Sequence, residues 1–599
     1  MTKKLLTLTL GLSGSAIAAA LVLPAIAQES LLPEGFGSPP ETPAPRPAPA
    51  PTATPTPSQG TPPASGSVAP PAVTPTVQAG DSDDGEDEEE VESGTLKYDL
   101  PPGTRRKLTR VGPLTPDTGG LVPDALGVRG QYAAAIMRHT NGNLASRWGQ
   151  ILLRRALASA LDTPSTINGA DLAADRAALL LRMGESIAAR MVVQSVDYDR
   201  ASPRLVQVAQ QSYLATADPA GMCPYVPAGL AHGDEHTWRL ASGICAGLSG
   251  EAGPAGWAIS RVRSSGRIKN FDVLIAERVL GATGAGRRST TIEWTNIDRL
   301  TSWRFGMATA TAVEVPAELR AAAPDYMRSW TVLAPMSEMA DRVAAAPTAA
   351  ARGVLSSDAY VSLLSAASEV AEPSAELADQ VALLRTAHAG ETGADRYAAM
   401  ESLWSGATGA AQSYAALVAT ARAAAGVPTS ADVDDDPWQL LGSMLAGGYD
   451  RNAAAWAPKL AAGSRAWGVL AVGAPRPLGG TDAGAIGNFA GDDDSADSLR
   501  SKFLLAGLSG LGRIDAGEAA SAARSLNADL GKQTRWTRAI MAAAERREPA
   551  MVALIAAAGM QGEWAKVPPY HLYYIVRALR EVGLEAEARM IAAEALVRV

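Results

Sequence analysis

This chain of 599 residues predicts an all-α fold, on three observations. Near the C-terminus Leu572, Ile575, Val576, Leu579 and Val582 recur at helical spacing, and past Gly583 a second face runs through Leu584, Ala588, Ile591, Ala592 and Ala595. Ala is abundant while Phe occurs only 5 times, which favours thin, closely packed helices over sheets with bulky interiors. Runs of alternating β-branched residues are almost absent. Two helices joined by a glycine form an αα-hairpin, and such a hairpin buries its apolar faces only against neighbours.

In chain order, residues 1–27 read as a secretory signal. Lys3 and Lys4 form its basic region, Leu5 to Leu23 its apolar region, and Ala25-Ile26-Ala27 a small-x-small cleavage site before Gln28. The competing reading is an uncleaved anchor, because Leu5 to Leu23 nearly reaches the roughly 20 residues that span a bilayer. Pro24 and the cleavage triplet argue for removal, and no later stretch is apolar enough to cross a membrane. A periplasmic or secreted protein is expected.

Residues 28–95 read as a disordered linker. Dense Pro, as in Pro43-Ala44-Pro45-Arg46-Pro47-Ala48-Pro49, fixes φ and removes donors, so polyproline II or coil is expected there. Asp81 to Glu92 adds nine acids and no base. Counted from Asp81, Gly85 and Glu86 stand where a calcium loop needs a ligand and a glycine, so the run reads as a solvated spacer. Arg105, Arg106, Lys107 and Arg110 follow as candidate counter-charges, within an extended arm over 96–130.

Residues 131–599 read as an α-helical repeat array. Leu152 to Leu161, Leu172 to Val193, Pro203 to Leu214 and Glu235 to Leu248 are the first predicted helices. Gly250 to Gly253 then turn the chain into a return helix that carries Ala255, Ile259 and Val262. Later, Leu504, Leu508 and Leu511 precede Gly512 and a return helix through Ala519, Ala523 and Leu526. Asp432 to Pro437 and Asp492 to Asp497 read as N-cap clusters, and Gly473 to Gly491 as a long loop. The organisation resembles the tetratricopeptide-like class of α-solenoids, with small residues five and twelve positions after a turn glycine. Gly583 with Ala588 and Ala595 fits, Gly250 fits at Ala255 but has Val262, and Gly512 fits at Gly517 but has Arg524. The resemblance implies stacked hairpins with a concave binding surface, and it identifies no named family.

The formal charge of −9 becomes −11 without Lys3 and Lys4. The acidic run and a net −2 over residues 28–80 account for it, which leaves 93–599 near neutral. No overall field therefore draws nucleic acid to the helical part. The 44 Arg against 9 Lys carry no functional weight at this level.

Cys223, His232, His236 and Cys245 fall within 23 residues. In an exported protein the two cysteines are expected to pair; the alternatives are free thiols, or zinc held by all four residues, although this spacing matches no common zinc motif. Trp294, Arg299, Trp303 and Arg304 form the densest polar-aromatic mix and are a candidate partner surface, against the plainer reading of an ordinary amphipathic helix. The sequence lacks His-Glu-x-x-His, Gly-x-Ser-x-Gly, Ser-x-x-Lys and the phosphate-binding loop, and no cofactor is implied. The function expected is a non-catalytic scaffold or adaptor that binds another cell-envelope protein. Alternatives are a peptidoglycan hydrolase with an unrecognised carboxylate site and a structural spacer.

Overall fold

Helices form where apolar periodicity places them, and glycines in the left-handed region reverse the chain between them. Gly250 (φ +83) separates Glu235–Leu248 from Ala252–Ser265, and Gly583 (φ +82) separates Pro569–Glu581 from Glu585–Arg598. Ala588 and Ala595 are wholly buried after the second turn, as is Ala255 after the first, so the small positions are where helices approach closely. The computed structural model describes residues 104–232, 235–285, 291–370 and 373–599. The predicted leader, the Pro-rich linker and the acidic run lie outside the described residues. Those described contain 27 α-helices against one ladder of two-residue strands, so the protein is all-α.

The described segment before the first helix, which includes the 3-10 helix Pro116–Thr118, is stitched onto the helical body. Arg110–Val111 pairs antiparallel with Leu161–Asp162. Beneath this pairing the wholly buried Arg176 donates to the carbonyls of Val111 (2.7 Å), Leu157 (2.6 Å) and Ser159. Burial pulls its guanidinium down to about 9, which still leaves it charged at neutral pH. Arg106 and Arg110, expected to answer the acidic run, pair with Asp197 and Asp162 of the body.

Packing extends well beyond sequence neighbours. The last helix, Glu585–Arg598, touches not only Pro569–Glu581 but also Leu499–Leu511, Arg465–Gly473, Trp438–Ala446 and Arg147–Ala158 near the other end of the described chain. The contact with Arg147–Ala158 is polar at its centre. Glu594 receives the backbone N–H of Arg147 at 2.7 Å and of Trp148 at 3.1 Å, and the Ser146 hydroxyl at 2.6 Å. Ser146 is itself the N-cap, accepting from the Gly149 N–H. Arg598 holds the same carboxylate at 2.7 Å and also donates to the Ala145 carbonyl. A buried anion at a helix N-terminus satisfies otherwise orphaned donors and meets the positive end of the dipole.

Three local expectations need correction. Leu172 to Val193 is two helices, Gly169–Arg182 and Ser186–Val193, because Gly184 sits at φ +87 where its missing Cβ leaves room for Ser329. Gly473 to Gly491 is not one long loop: its second half is the helix Ala483–Gly491, capped by Asp482, which accepts from the Ala485 N–H at 2.8 Å. Asp436 caps a helix, but not the one that follows it; it accepts from Ala466 N–H, at the start of Arg465–Gly473. Asp493 acts as expected, holding the Ser501 N–H and hydroxyl in the first turn of Leu499–Leu511.

Glu594→Ala would strand four donor groups in a buried site. It should cost about 3 kcal/mol, read as a lower urea midpoint. A midpoint equal to wild type would show that the last helix does not depend on this carboxylate.

His571 stacks on Trp536 at 4.1 Å between ring centres and its Nδ1 lies 2.9 Å from the Gly559 carbonyl. Burial lowers its pKa, outweighing the opposite pull of that carbonyl. His388 is lowered too, by burial and then by Arg422. Above about pH 6.5 both residues are neutral whether folded or unfolded. As pH falls through that value the unfolded chain takes up protons the folded chain refuses, so this contribution destabilises until pH passes the folded values. His571→Gln should therefore reduce the drop in urea midpoint between about pH 7.5 and pH 5.5.

Candidate protein-interaction surface

Cys223 and Cys245 form a disulfide with a Cα separation of 5.6 Å. Cys223 lies in the 3-10 turn Pro219–Tyr225, whose N-cap Asp218 accepts from the Gly221 N–H and pairs with Arg190 at 2.6 Å. Cys245 lies in Glu235–Leu248, which is anchored by the buried Trp238, Leu240 and Ile244. The bridge ties this turn to that helix. Both sulfurs are bonded to each other, so the zinc arrangement loses its two thiolates. His232 is exposed at the end of Val226–His232, and His236 lies half-buried in the first turn of the next helix.

The hairpin held by the disulfide has an uncovered side. Ala252–Ser265 buries Ala255, Ala258, Ile259 and Val262 against Glu235–Leu248 and Asn270–Ala282. Its opposite face carries Trp257, which is 59% exposed, with Leu248 at 49% just before the turn. Two guanidinium groups flank the indole, Arg239 at 5.9 Å and Arg261 at 5.4 Å from the ring. Those distances lie within cation–π range, and the indole stays largely open to solvent. Trp and Arg are the residue types most often found where partner binding is concentrated.

The predicted partner surface, by contrast, is mostly turned inward. Arg304 is buried and forks onto Asp272 at 2.7 and 2.9 Å, and its third contact is the Arg299 carbonyl. The buried Trp303 donates to the Asp272 carbonyl at 3.2 Å. Trp294 lies 4.5 Å from the ring of Phe271 and donates to the Glu314 carbonyl at 2.9 Å. Of the four residues only Arg299 is exposed. The helix expected over this mix is short, Ser302–Ala310, and residues 291–301 are irregular. A charged residue with a partner 32 positions away reads as surface in a sequence and becomes core once the partner arrives. Trp257, Arg239 and Arg261 were legible in part: Trp257 and Arg261 stand four apart on one helix, in a stretch from Ala252 to Lys269 without an acid.

The two best-formed cavities hold no more than about 10 Å³, about the space of one water; one is lined by Met137, Leu157, Arg176 and Leu554, the other by Trp148, Tyr414 and Glu594. Among carboxylates the pair Glu401 and Asp434 stands out. Tyr397 donates to Asp434 at 3.1 Å, and Glu401 is raised above the usual range by burial and then by Asp434. Among the described residues no helix is long and apolar enough to cross a membrane.

Unreduced, denatured protein should contain no titratable thiol. Cys223→Ser with Cys245→Ser should cost about 3 kcal/mol in the chain-entropy account of a loop of this length, read by urea denaturation. Two free thiols before reduction would contradict the bridge. No family model, curated protein or solved structure matches the chain, and the likeness to tetratricopeptide repeats rests on glycine-to-small-residue spacing alone.

Proposed function

We propose that this chain is an exported, non-catalytic scaffold of the cell envelope, periplasmic or secreted, that engages another protein through its disulfide-tied hairpin. The carrying observation is the exposed Trp257, held between Arg239 and Arg261 on a helix whose other face is fully packed. A rigid aromatic presented on a stapled element loses little conformational freedom on binding. The disulfide is compatible with an oxidising compartment, in keeping with the leader that the sequence predicts. A linker of some seventy residues, predicted to be unstructured, would give the helical body reach within the envelope.

The hydrolase reading finds its nearest chemistry at Glu401 and Asp434, where one carboxyl is raised beside another. Release of peptidoglycan fragments by purified protein, abolished by Glu401→Gln, would establish that reading in place of the scaffold.

For the scaffold, a photoreactive phenylalanine at the exposed Ser260, one turn from Trp257, should crosslink one envelope protein in stoichiometric yield. The same group at the exposed Glu391 should not. Equal labelling from both positions, or none from Ser260, would overturn the assignment of this surface.

A further inference from the structure

Glu401 and Asp434 meet where the chain passes from Ala410–Ala425 to Trp438–Ala446. The connecting residues 428–437 are pinned near both ends. Gly393, at the start of the helix Gly393–Ser405, has no side chain, and a Cβ there would lie 2.7 Å from that of Ala431. Asp436 holds the Ala466 N–H at 2.7 Å, and Pro437 is buried. Between those points Asp434 reaches the same helix. Tyr397 donates to it at 3.1 Å, and Glu401, one turn further on, is hydrogen-bonded to it as well. Two carboxyl groups hydrogen-bond to each other only through a proton that one of them carries.

We infer that residues 428–437 form a proton-operated latch, held against Gly393–Ser405 while Glu401 and Asp434 share a proton and lifted when both are charged. The latch does not involve the surface around Trp257. Its segment carries Asp432, Asp434, Asp435 and Asp436 and no base, so without the shared proton it repels Glu401. The surrounding charges are engaged elsewhere or stand in solvent. At the helix start Glu391 is exposed, Asp395 is bonded by Thr392, and Arg396 donates to the Gly390 carbonyl. The neighbouring helix Ala375–Ala389 carries the exposed Glu376, Asp379 and Arg385, and His388. On Ala410–Ala425 the charged residue is Arg422, which acts on His388. Past Asp436, Arg465 lies over the Trp438 ring and beside Asp493 and Asp494. The groups that act on Glu401 itself are Asp434 and Tyr397.

Burial and then Asp434 raise the Glu401 carboxyl above its usual range. A raised carboxyl contributes stability that is complete below the ordinary value of about 4.3 and is lost as pH rises through the raised one. The closed latch is therefore the acid form. His388 works in the opposite direction, because burial resists its protonation in the folded chain. Comparing variants at one pH removes that contribution.

The test is amide hydrogen exchange of full-length protein, read by mass spectrometry on peptides that span 428–437. Wild type is compared with Glu401→Gln, whose amide donates to Asp434 at every pH. At about pH 4.5, near the ordinary carboxylate value, the two should exchange alike. At about pH 7.5 wild type should exchange about threefold faster or more, the order of one lost hydrogen bond. Asp434→Asn can donate to Glu401 and still accept from Tyr397, so it should match Glu401→Gln. Glu376→Gln, on the neighbouring helix, should behave as wild type at both values. Wild-type exchange in the distant helix Glu585–Arg598 confirms that each variant is folded, and should one variant fail there the other decides. The same ratio of wild type to variant at both pH values, or slower exchange of wild type at the higher one, would overturn the inference.

Discussion

One buried carboxylate joins the two ends of the helical body. Glu594, in the final helix, replaces the water that would otherwise satisfy the first N–H groups of Arg147–Ala158, and it does so across more than four hundred residues of chain. The arrangement is demanding because a buried charge is tolerated only when fully bonded. Here it is: two backbone donors, the Ser146 hydroxyl and Arg598 surround it. Hairpins added only to their sequence neighbours would leave both terminal faces open. This contact lets the first long helix and the last cover one another, with the apolar Leu152, Ile591 and Leu596 buried in the same core.

The opposite ends of the helices are served by arginine. Arg513 reaches the carbonyls of Ala471, Val472 and Ala474 at the end of Arg465–Gly473, and Arg589 reaches Gly473 beside them. Arg147 reaches Ala350 and Leu355, and Arg154 reaches Gly353, where Met339–Arg352 ends. Arg182 closes Gly130–His139 through Met137 and Thr140. The last carbonyls of a helix lack intrahelical partners and carry the negative end of its dipole. A guanidinium offers several donors in a fixed fork, whereas an ammonium is a strongly hydrated point charge. The excess of Arg over Lys, uninformative as composition, therefore has a structural use: these side chains tie helix ends across the interior.

Indole groups follow the same logic. Trp148, Trp303 and Trp536 bury apolar area and each donate to a main-chain carbonyl, of Leu445, Asp272 and Ile555. Trp257 does not share that burial. Its ring stays largely in solvent on Ala252–Ser265, the helix after the one that Cys245 bridges to Cys223, with Arg239 and Arg261 within cation–π range.

Local patterning determined the helices, the glycine turns and the cysteine pair, because each depends on residues near one another in the chain. Ala588 and Ala595 after Gly583 already mark close approach, and two cysteines 22 apart behind a predicted secretory leader already suggest the bridge that forms. The tertiary structure alone decided which charged and aromatic residues face inward. Trp303 and Arg304 became core when Asp272 arrived to pair with them, Asp436 capped a helix some thirty residues on, and Glu594 met the start of Arg147–Ala158. The reason is that a polar side chain is buried or exposed according to its partner, and periodicity says nothing of partners supplied from elsewhere in the fold.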